Sequence, residues 1–215
     1  MSRRAWIVGA GDFAPDLFQP EPEDLVVAAD GGLRRLQPCG VTPQLIVGDF
    51  DSLGYVPQGV RVVRHSPIKD QTDMELAAQE AVKTGCDELL LFGGTGGRFA
   101  HTLANLQLLA ALEKQGVRAY LIDETTTATA LCGGTLLFAE TGKGFLSVFA
   151  HGGRLSGVTL RGLKYPLTNA DLSPDFPLGV SNEFTGVPAA VTVRSGTALV
   201  LWSSRNERPK REKTI

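Results

Sequence analysis

The chain has 215 residues, 43% of them hydrophobic and 20% charged, with a formal charge of −2. Such a composition can fill one large core or two small ones, and it carries no electrostatic footprint for nucleic acid or for an anionic membrane. Cys39, Cys86 and Cys132 are few, odd in number and lack metal-ligand spacing, which argues against a disulfide framework and fits a reducing cytoplasm.

No apolar run is long enough to cross a bilayer. Arg3-Arg4 stands ahead of Trp6-Ile7-Val8, but Asp12 ends that run far short of a signal segment. Trp6 to Val8 instead reads as a first strand. Gly9-Ala10-Gly11-Asp12-Phe13-Ala14 then fits a dinucleotide fingerprint, with Asp30 where a ribose-binding acid would be sought. Pro15, Pro20 and Pro22 leave little room for the helix that fingerprint needs, so it is treated as a decoy. Leu25 to Ala29 is the second strand, closed by Asp30-Gly31-Gly32. Asp30 is either a ligand-facing acid at a strand end or the cap of a short helix around Leu33 to Leu36.

Leu45 to Val47 ends in Gly48-Asp49-Phe50-Asp51-Ser52. Two carboxylates one residue apart, just past a buried strand, suit a hard cation such as Mg²⁺, or else form an Asp-rich turn bonded to its own backbone. After a strand at Arg61 to Val63, Lys69-Asp70-Gln71-Thr72-Asp73-Met74-Glu75 opens a helix. Thr72 and Glu75 have capping-box spacing, and Met74, Ala77, Ala78, Ala81 and Val82 form an apolar stripe ending at Gly85. Asp73 is not needed for that cap and Lys69 precedes the helix, so together they offer a place for phosphate and metal.

Glu88 to Phe92 leads into Gly93-Gly94-Thr95-Gly96-Gly97-Arg98. The glycines let backbone wrap a ligand and Arg98 adds a forked contact to phosphate; a flexible connection is the alternative. A helix from His101 to Gln115, with Leu103, Leu106, Leu109 and Ala110 inward, ends at Gly116. His101 is a structural residue or a general base. Arg118 to Ile122 completes the alternation.

Beyond Asp123 short runs of Val, Leu, Phe and Thr are divided by glycines. The expected architecture is an α/β domain over residues 1–124 with a doubly wound, mostly parallel sheet, then an all-β sandwich or barrel over 125–205. Residues 206–215 are expected to be a solvated basic tail. Trp202 is a core residue or a ring with one face open for stacking. In a doubly wound sheet the strand ends gather at one edge, so the acids, the helix start and the glycine loop define a metal and polyphosphate site. Its chemistry is phosphoryl or pyrophosphoryl transfer.

Ala-Ala-Asp30-Gly-Gly, Gly48-Asp-Phe-Asp-Ser52, Lys69-Asp-Gln-Thr-Asp73, Gly96-Gly-Arg-Phe-Ala-His-Thr-Leu-Ala-Asn105, Gly162-Leu-Lys-Tyr-Pro-Leu167 and Ser181-Asn-Glu-Phe184 resemble the motifs of the thiamine pyrophosphokinase family in order and spacing. The resemblance implies an N-terminal α/β domain, a C-terminal all-β sandwich over 125–205, and a homodimer that transfers the diphosphate of ATP to the hydroxyl of thiamine with Mg²⁺. It implies that Asp30, Asp49, Asp51 and Asp73 handle the metal, with Asp49, Asp51 and Asp73 central to catalysis. Asp30, Lys69, Thr72 and Arg98 would bind ATP, and Ser181, Asn182 and Trp202 would bind thiamine. One departure is Ala100, where the family usually has Asp. Competing readings are a pyrophosphokinase for another alcohol, such as a hydroxymethylpterin, and a thiamine-binding protein weakened in catalysis.

Overall fold

The computed structural model describes residues 3–49, 58–66, 70–203 and 207–212; Asp51 and Lys69 lie outside them. The chain divides into two compact units, Met1–Glu124 and Thr125–Ile215.

In the first unit the strands are β1 (Arg4–Val8), β2 (Leu25–Ala29), β3 (Leu45–Gly48), β4 (Arg61–Arg64), β5 (Glu88–Phe92) and β6 (Arg118–Ile122). They pair in parallel in the order β6-β5-β1-β2-β3-β4. Every residue of β5 is buried, as a continuous apolar run requires in a sheet covered on both faces. Helix α1 (Leu33–Leu36) packs on β1 and β2, α2 (Asp73–Lys83) crosses β1, β2 and β3, and α3 (Phe99–Lys114) lies on β6. The order of winding reverses between β1 and β5, which opens a crevice at the carboxyl ends of those strands.

The amino edge of this sheet is closed by charge pairs. Arg4 Nε stands 3.0 Å from Glu88 Oε1 and Arg118 Nη2 stands 3.2 Å from Glu88 Oε2. Trp6 Nε1 donates to Asp24 Oδ2 at 2.7 Å.

Helix α3 corrects the expected register. It begins at Phe99, and its buried side chains are Asn105, Leu109, Ala110 and Leu112, while Leu103 is exposed. A stripe drawn through leucines alone misplaces the face because a polar residue occupies the buried side.

The second unit contains β7 (Thr126–Phe138), β8 (Phe145–Arg161), β9 (Leu167–Leu172), β10 (Gly179–Glu183), β11 (Ala189–Ser203) and β12 (Lys210–Glu212). The order is β10-β8-β11-β7, with β9 on β8 and β12 on β7. The three long strands bend where glycines adopt positive φ, at Gly133 and Gly134 in β7, Gly152 and Gly157 in β8, and Gly196 in β11. Each bend carries one strand from one layer into the other. Phe138 pairs with Ala189 and Trp202 with Thr127, at opposite ends of the β7–β11 ladder. Their rings nevertheless meet edge to face at 5.4 Å between centroids. A ladder folded back on itself as a sandwich explains that contact.

The basic tail is not wholly a solvated end. Lys210 to Glu212 pair antiparallel with Leu137 to Thr135 and cover that stretch of β7. From β12, Arg211 Nη2 donates to Thr129 Oγ1 and to the Ala130 carbonyl, both at 2.8 Å. Those acceptors lie on the far side of the Gly133–Gly134 bend from the residues β12 pairs with, so the guanidinium ties both arms of β7 together. Arg211→Ala is expected to cost about 1–3 kcal/mol, as loss of hydrogen bonds from a charged donor does. Urea unfolding would show a lower midpoint with the slope unchanged.

Candidate active site

The crevice is floored by two loops pressed backbone to backbone. The amides of Gly9, Gly11 and Asp12, after β1, donate to the carbonyls of Phe92, Gly93 and Thr95 at 2.8, 2.9 and 2.9 Å. A Cβ on Gly11 would stand 2.0 Å from the Thr95 carbonyl oxygen, and one on Gly93 would stand 2.2 Å from that of Gly9. The resemblance of Gly9 to Ala14 to a dinucleotide fingerprint thus has a packing cause. After Ala14 the chain makes only a short 3-10 turn, Pro15–Leu17, and no regular helix.

Above this floor lies a cleft of about 650 Å³ whose walls include Asp30, Asp49, Thr72, Asp73 and Arg98. Five of the residues expected at the phosphate site therefore share one cavity. Asp30 adopts φ 44°, a left-handed conformation that few non-glycine residues hold, immediately after β2. A Cβ on Gly48 would come within 3.0 Å of the Asp30 Cβ, so the bare glycine at the end of β3 gives that acid its space. Thr72 caps α2 by accepting from the Glu75 amide at 3.2 Å. The Glu75 carboxylate accepts from Gln79 instead of closing the capping box.

No side chain caps α3, and its first turn faces the cleft through Arg98, His101 and Thr102. That leaves a helix N-terminus available to an anion. The Arg98 guanidinium is hydrogen-bonded to His101 Nε2, so the imidazole acts as acceptor. Ala100, between them, is exposed. Asp70, Gln71, Thr95 and Asn105 also line the cleft. Asp70 and Gln71 lay within a recognised motif, but no pattern singled them out.

Among the described residues no three His, Cys, Asp or Glu side chains stand close enough to hold a metal by themselves. The donor set is nonetheless hard oxygen from Asp30, Asp49 and Asp73. It suits Mg²⁺, which takes one or two protein carboxylates and fills its other positions with water and substrate phosphate.

In the second unit, Ser181 is exposed and strained, with φ 56°, and its amide donates to Ser147 Oγ at 3.0 Å. Asn182 and Trp202 are both buried within this unit. Asn182 is only 3% exposed; its Oδ1 accepts from the amides of Tyr165 and Glu183, and its Nδ2 donates to the Tyr165 carbonyl at 2.7 Å. Its amide is spent on holding the backbone of Tyr165. Trp202 is 2% exposed and packs on Phe138, so its ring belongs to the core of this unit rather than to a reachable surface. Tyr165, 56% exposed, is one of the exposed aromatic rings of this unit, beside Phe145 at 60% and Phe176 at 64%, and Lys164 Nζ lies over it 5.4 Å from the ring centre. The Glu183 carboxylate bonds that ammonium at 2.8 Å and raises the lysine above its ordinary range.

Comparison with known proteins falls in line with this geometry. Residues 20–121 match the family model described as thiamin pyrophosphokinase, catalytic domain, and residues 138–200 match the thiamin pyrophosphokinase vitamin B1 binding domain. The first span contains the acids of the cleft and Arg98, and the second contains Tyr165 and Ser181. The thiamine pyrophosphokinase of Bacillus subtilis (strain 168) is 29% identical over 205 residues, covering 91% of this chain and 95% of that protein. The thiamin pyrophosphokinase of Geobacillus thermodenitrificans, a crystal structure, is similar with a TM-score of 0.81 at 29% identity, over 94% of this chain and 97% of that one. The Candida albicans thiamin pyrophosphokinase structure shares the fold at a TM-score of 0.79 and 16% identity, over 94% of this chain and 89% of that one. With both domain models matched in order and the fold shared along nearly its whole length, the chain belongs to the thiamin pyrophosphokinase family of enzymes.

Proposed function

We propose that this protein transfers the diphosphate of ATP to the hydroxyl of thiamine, giving thiamine diphosphate and AMP. The observation that carries this reading is the convergence of Asp30, Asp49, Asp73, Thr72 and Arg98 on one cleft beside the uncapped start of α3. Mg²⁺, held by Asp49 and Asp73 with Asp30 beside them and Asp51 as a further ligand, would neutralise charge on the triphosphate.

The thiamine hydroxyl oxygen attacks the β-phosphorus of ATP. The bond from that phosphorus to the bridging oxygen of the α-phosphate breaks, AMP leaves with the electron pair, and the hydroxyl proton passes to solvent. Little covalent work falls to the protein, whose task is positioning and charge neutralisation. Arg98 and the α3 N-terminus bind anionic oxygen, Lys69 adds a further cation, and Gly97, with open space where a Cβ would stand, lets phosphate approach the backbone.

Thiamine carries an aminopyrimidine and a cationic thiazolium, and both favour an aromatic face. Tyr165 supplies that face in place of the buried Trp202, and Ser181 is the chain neighbour of Asn182, whose amide holds the Tyr165 backbone. The exposed Phe176, Leu178 and Val180 at and before the β10 edge supply apolar surface for a homodimer. The compartment is the reducing cytoplasm, in keeping with free cysteines.

Incubation with ATP, Mg²⁺ and thiamine is expected to yield AMP and thiamine diphosphate in equal amounts. Thiamine-independent hydrolysis alone, or no product even after Ala100→Asp, would sink the proposal. Ala100 is the observation favouring a second reading, a thiamine binder weakened in catalysis, which predicts binding without turnover. A hydroxymethylpterin in the same assay tests the remaining alternative, another alcohol as acceptor. Within this function, Tyr165→Ala should raise the thiamine KM about tenfold, the loss of roughly 1.4 kcal/mol of ring contact. Trp202→Phe should lower the thermal midpoint and leave that KM unchanged.

A further inference from the structure

Asn105 is the polar exception on the buried face of α3, 5% exposed beside Leu109, Ala110 and Leu112. Its Nδ2 donates to the carbonyl of Gly94 at 2.7 Å, joining the second turn of the helix to the loop that precedes it. A Cβ on Gly94 would stand 2.8 Å from that nitrogen and 2.6 Å from Leu121 Cδ1, so the loop is seated tightly against both. Burying an amide in an apolar face is unfavourable unless the amide is paired. A leucine would fill the same face without that cost, so packing alone does not account for an asparagine here.

The bonded carbonyl lies in the loop that runs from the end of β5 to Arg98, and both Gly94 and Asn105 line the cleft. We propose that Asn105 is a positioning residue for the nucleotide: its amide latches the glycine loop to α3, fixing the loop amides and the backbone of Arg98 in one arrangement relative to the helix N-terminus. This rests on the reading of the cleft as an ATP site. The latch acts before any ligand arrives, so its contribution is preorganisation of the phosphate cradle. It touches no reacting atom, and thiamine, whose aromatic contact is placed on the other unit, should not sense it.

The test compares wild type with Asn105→Asp, which keeps the shape but sets a carboxylate against the Gly94 carbonyl, and with Asn105→Ser, a milder loss. ATP binding is measured by calorimetry without thiamine, the KM values for ATP and thiamine by steady-state kinetics, and folding by the thermal midpoint. The expected result is a tenfold or greater weakening of ATP binding in Asn105→Asp and a smaller weakening in Asn105→Ser. The thiamine KM should stay within twofold. Gly94→Ala, which pushes on the same bond from the loop side, should reproduce the split. ATP affinity within twofold of wild type in a folded variant overturns the inference, as does a parallel loss of both KM values with the midpoint. Wild-type protein that binds no ATP overturns the reading of the cleft along with it.

Discussion

Asp73→Asn is expected to lower kcat by roughly a hundredfold to a thousandfold, the scale on which enzymes lose rate when one charge-stabilising group is removed. The fold should survive. Asp73 is the first residue of α2, but Thr72 makes the cap, so the helix loses only a favourable first-turn charge, about 0.3–1 kcal/mol. Asparagine keeps the volume and can still accept a hydrogen bond, but it brings no negative charge to the cation that must neutralise the triphosphate. The Mg²⁺ concentration giving half-maximal rate should rise in the variant. Thr72→Ala supplies the contrast: about 1 kcal/mol of stability is lost with the cap, together with whatever contact Thr72 makes to ATP. Unchanged kcat and unchanged Mg²⁺ dependence in Asp73→Asn would remove the acid from the mechanism.

Two glycines four residues apart should behave in opposite ways. Gly93→Ala places a Cβ 2.2 Å from the Gly9 carbonyl oxygen, and the residue also sits at φ 64°. Steric overlap and left-handed backbone act together, so a loss of at least about 3 kcal/mol is expected, at the upper end for overpacking. Gly97 has open space where a Cβ would go and no positive φ, yet it lines the cleft. Gly97→Ala should leave stability within about 0.5 kcal/mol, as a substitution away from buried structure does, and any loss should fall on the ATP KM. Chemical denaturation of both variants beside steady-state kinetics separates the two roles. Equal destabilisation by both would mean that the loop is held by something other than the interlock with Gly9 and Gly11.

Five of the six strands of the first unit were legible because each is a short apolar run ending at glycine or aspartate, as a parallel sheet buried on both faces leaves it, whereas the edge strand β4, Arg-Val-Val-Arg before His65, lacks that ending. The acids became legible once those strands were ordered, since Asp30 and Asp49 follow β2 and β3 directly and the sheet brings their ends together. What escaped depends on partners distant in sequence. Asn105 interrupts the apolar pattern of α3, and only the Gly94 carbonyl, eleven residues earlier, explains it. For Trp202 the sequence left core residue and open ring both standing, and the folding back of β7 and β11 packs its ring on Phe138 within the second unit. Arg211 resembles part of a solvated basic run until the Thr129 and Ala130 acceptors are in place. Periodicity describes one element against water, and these three residues answer to another element.

The interlocked loops also decide how the cleft can move. Its floor is tied by amides of Gly9, Gly11 and Asp12 that donate across to the neighbouring loop. Separating those loops means parting the ends of β1 and β5 at the centre of the sheet, so deuterium should enter there only as the whole unit opens. Arg98 and His101, exposed at the start of α3, can change rotamer within picoseconds to nanoseconds. The cleft therefore pairs a slow backbone template with fast charged side chains: an incoming triphosphate meets a fixed shape first, and the guanidinium adjusts around it afterwards.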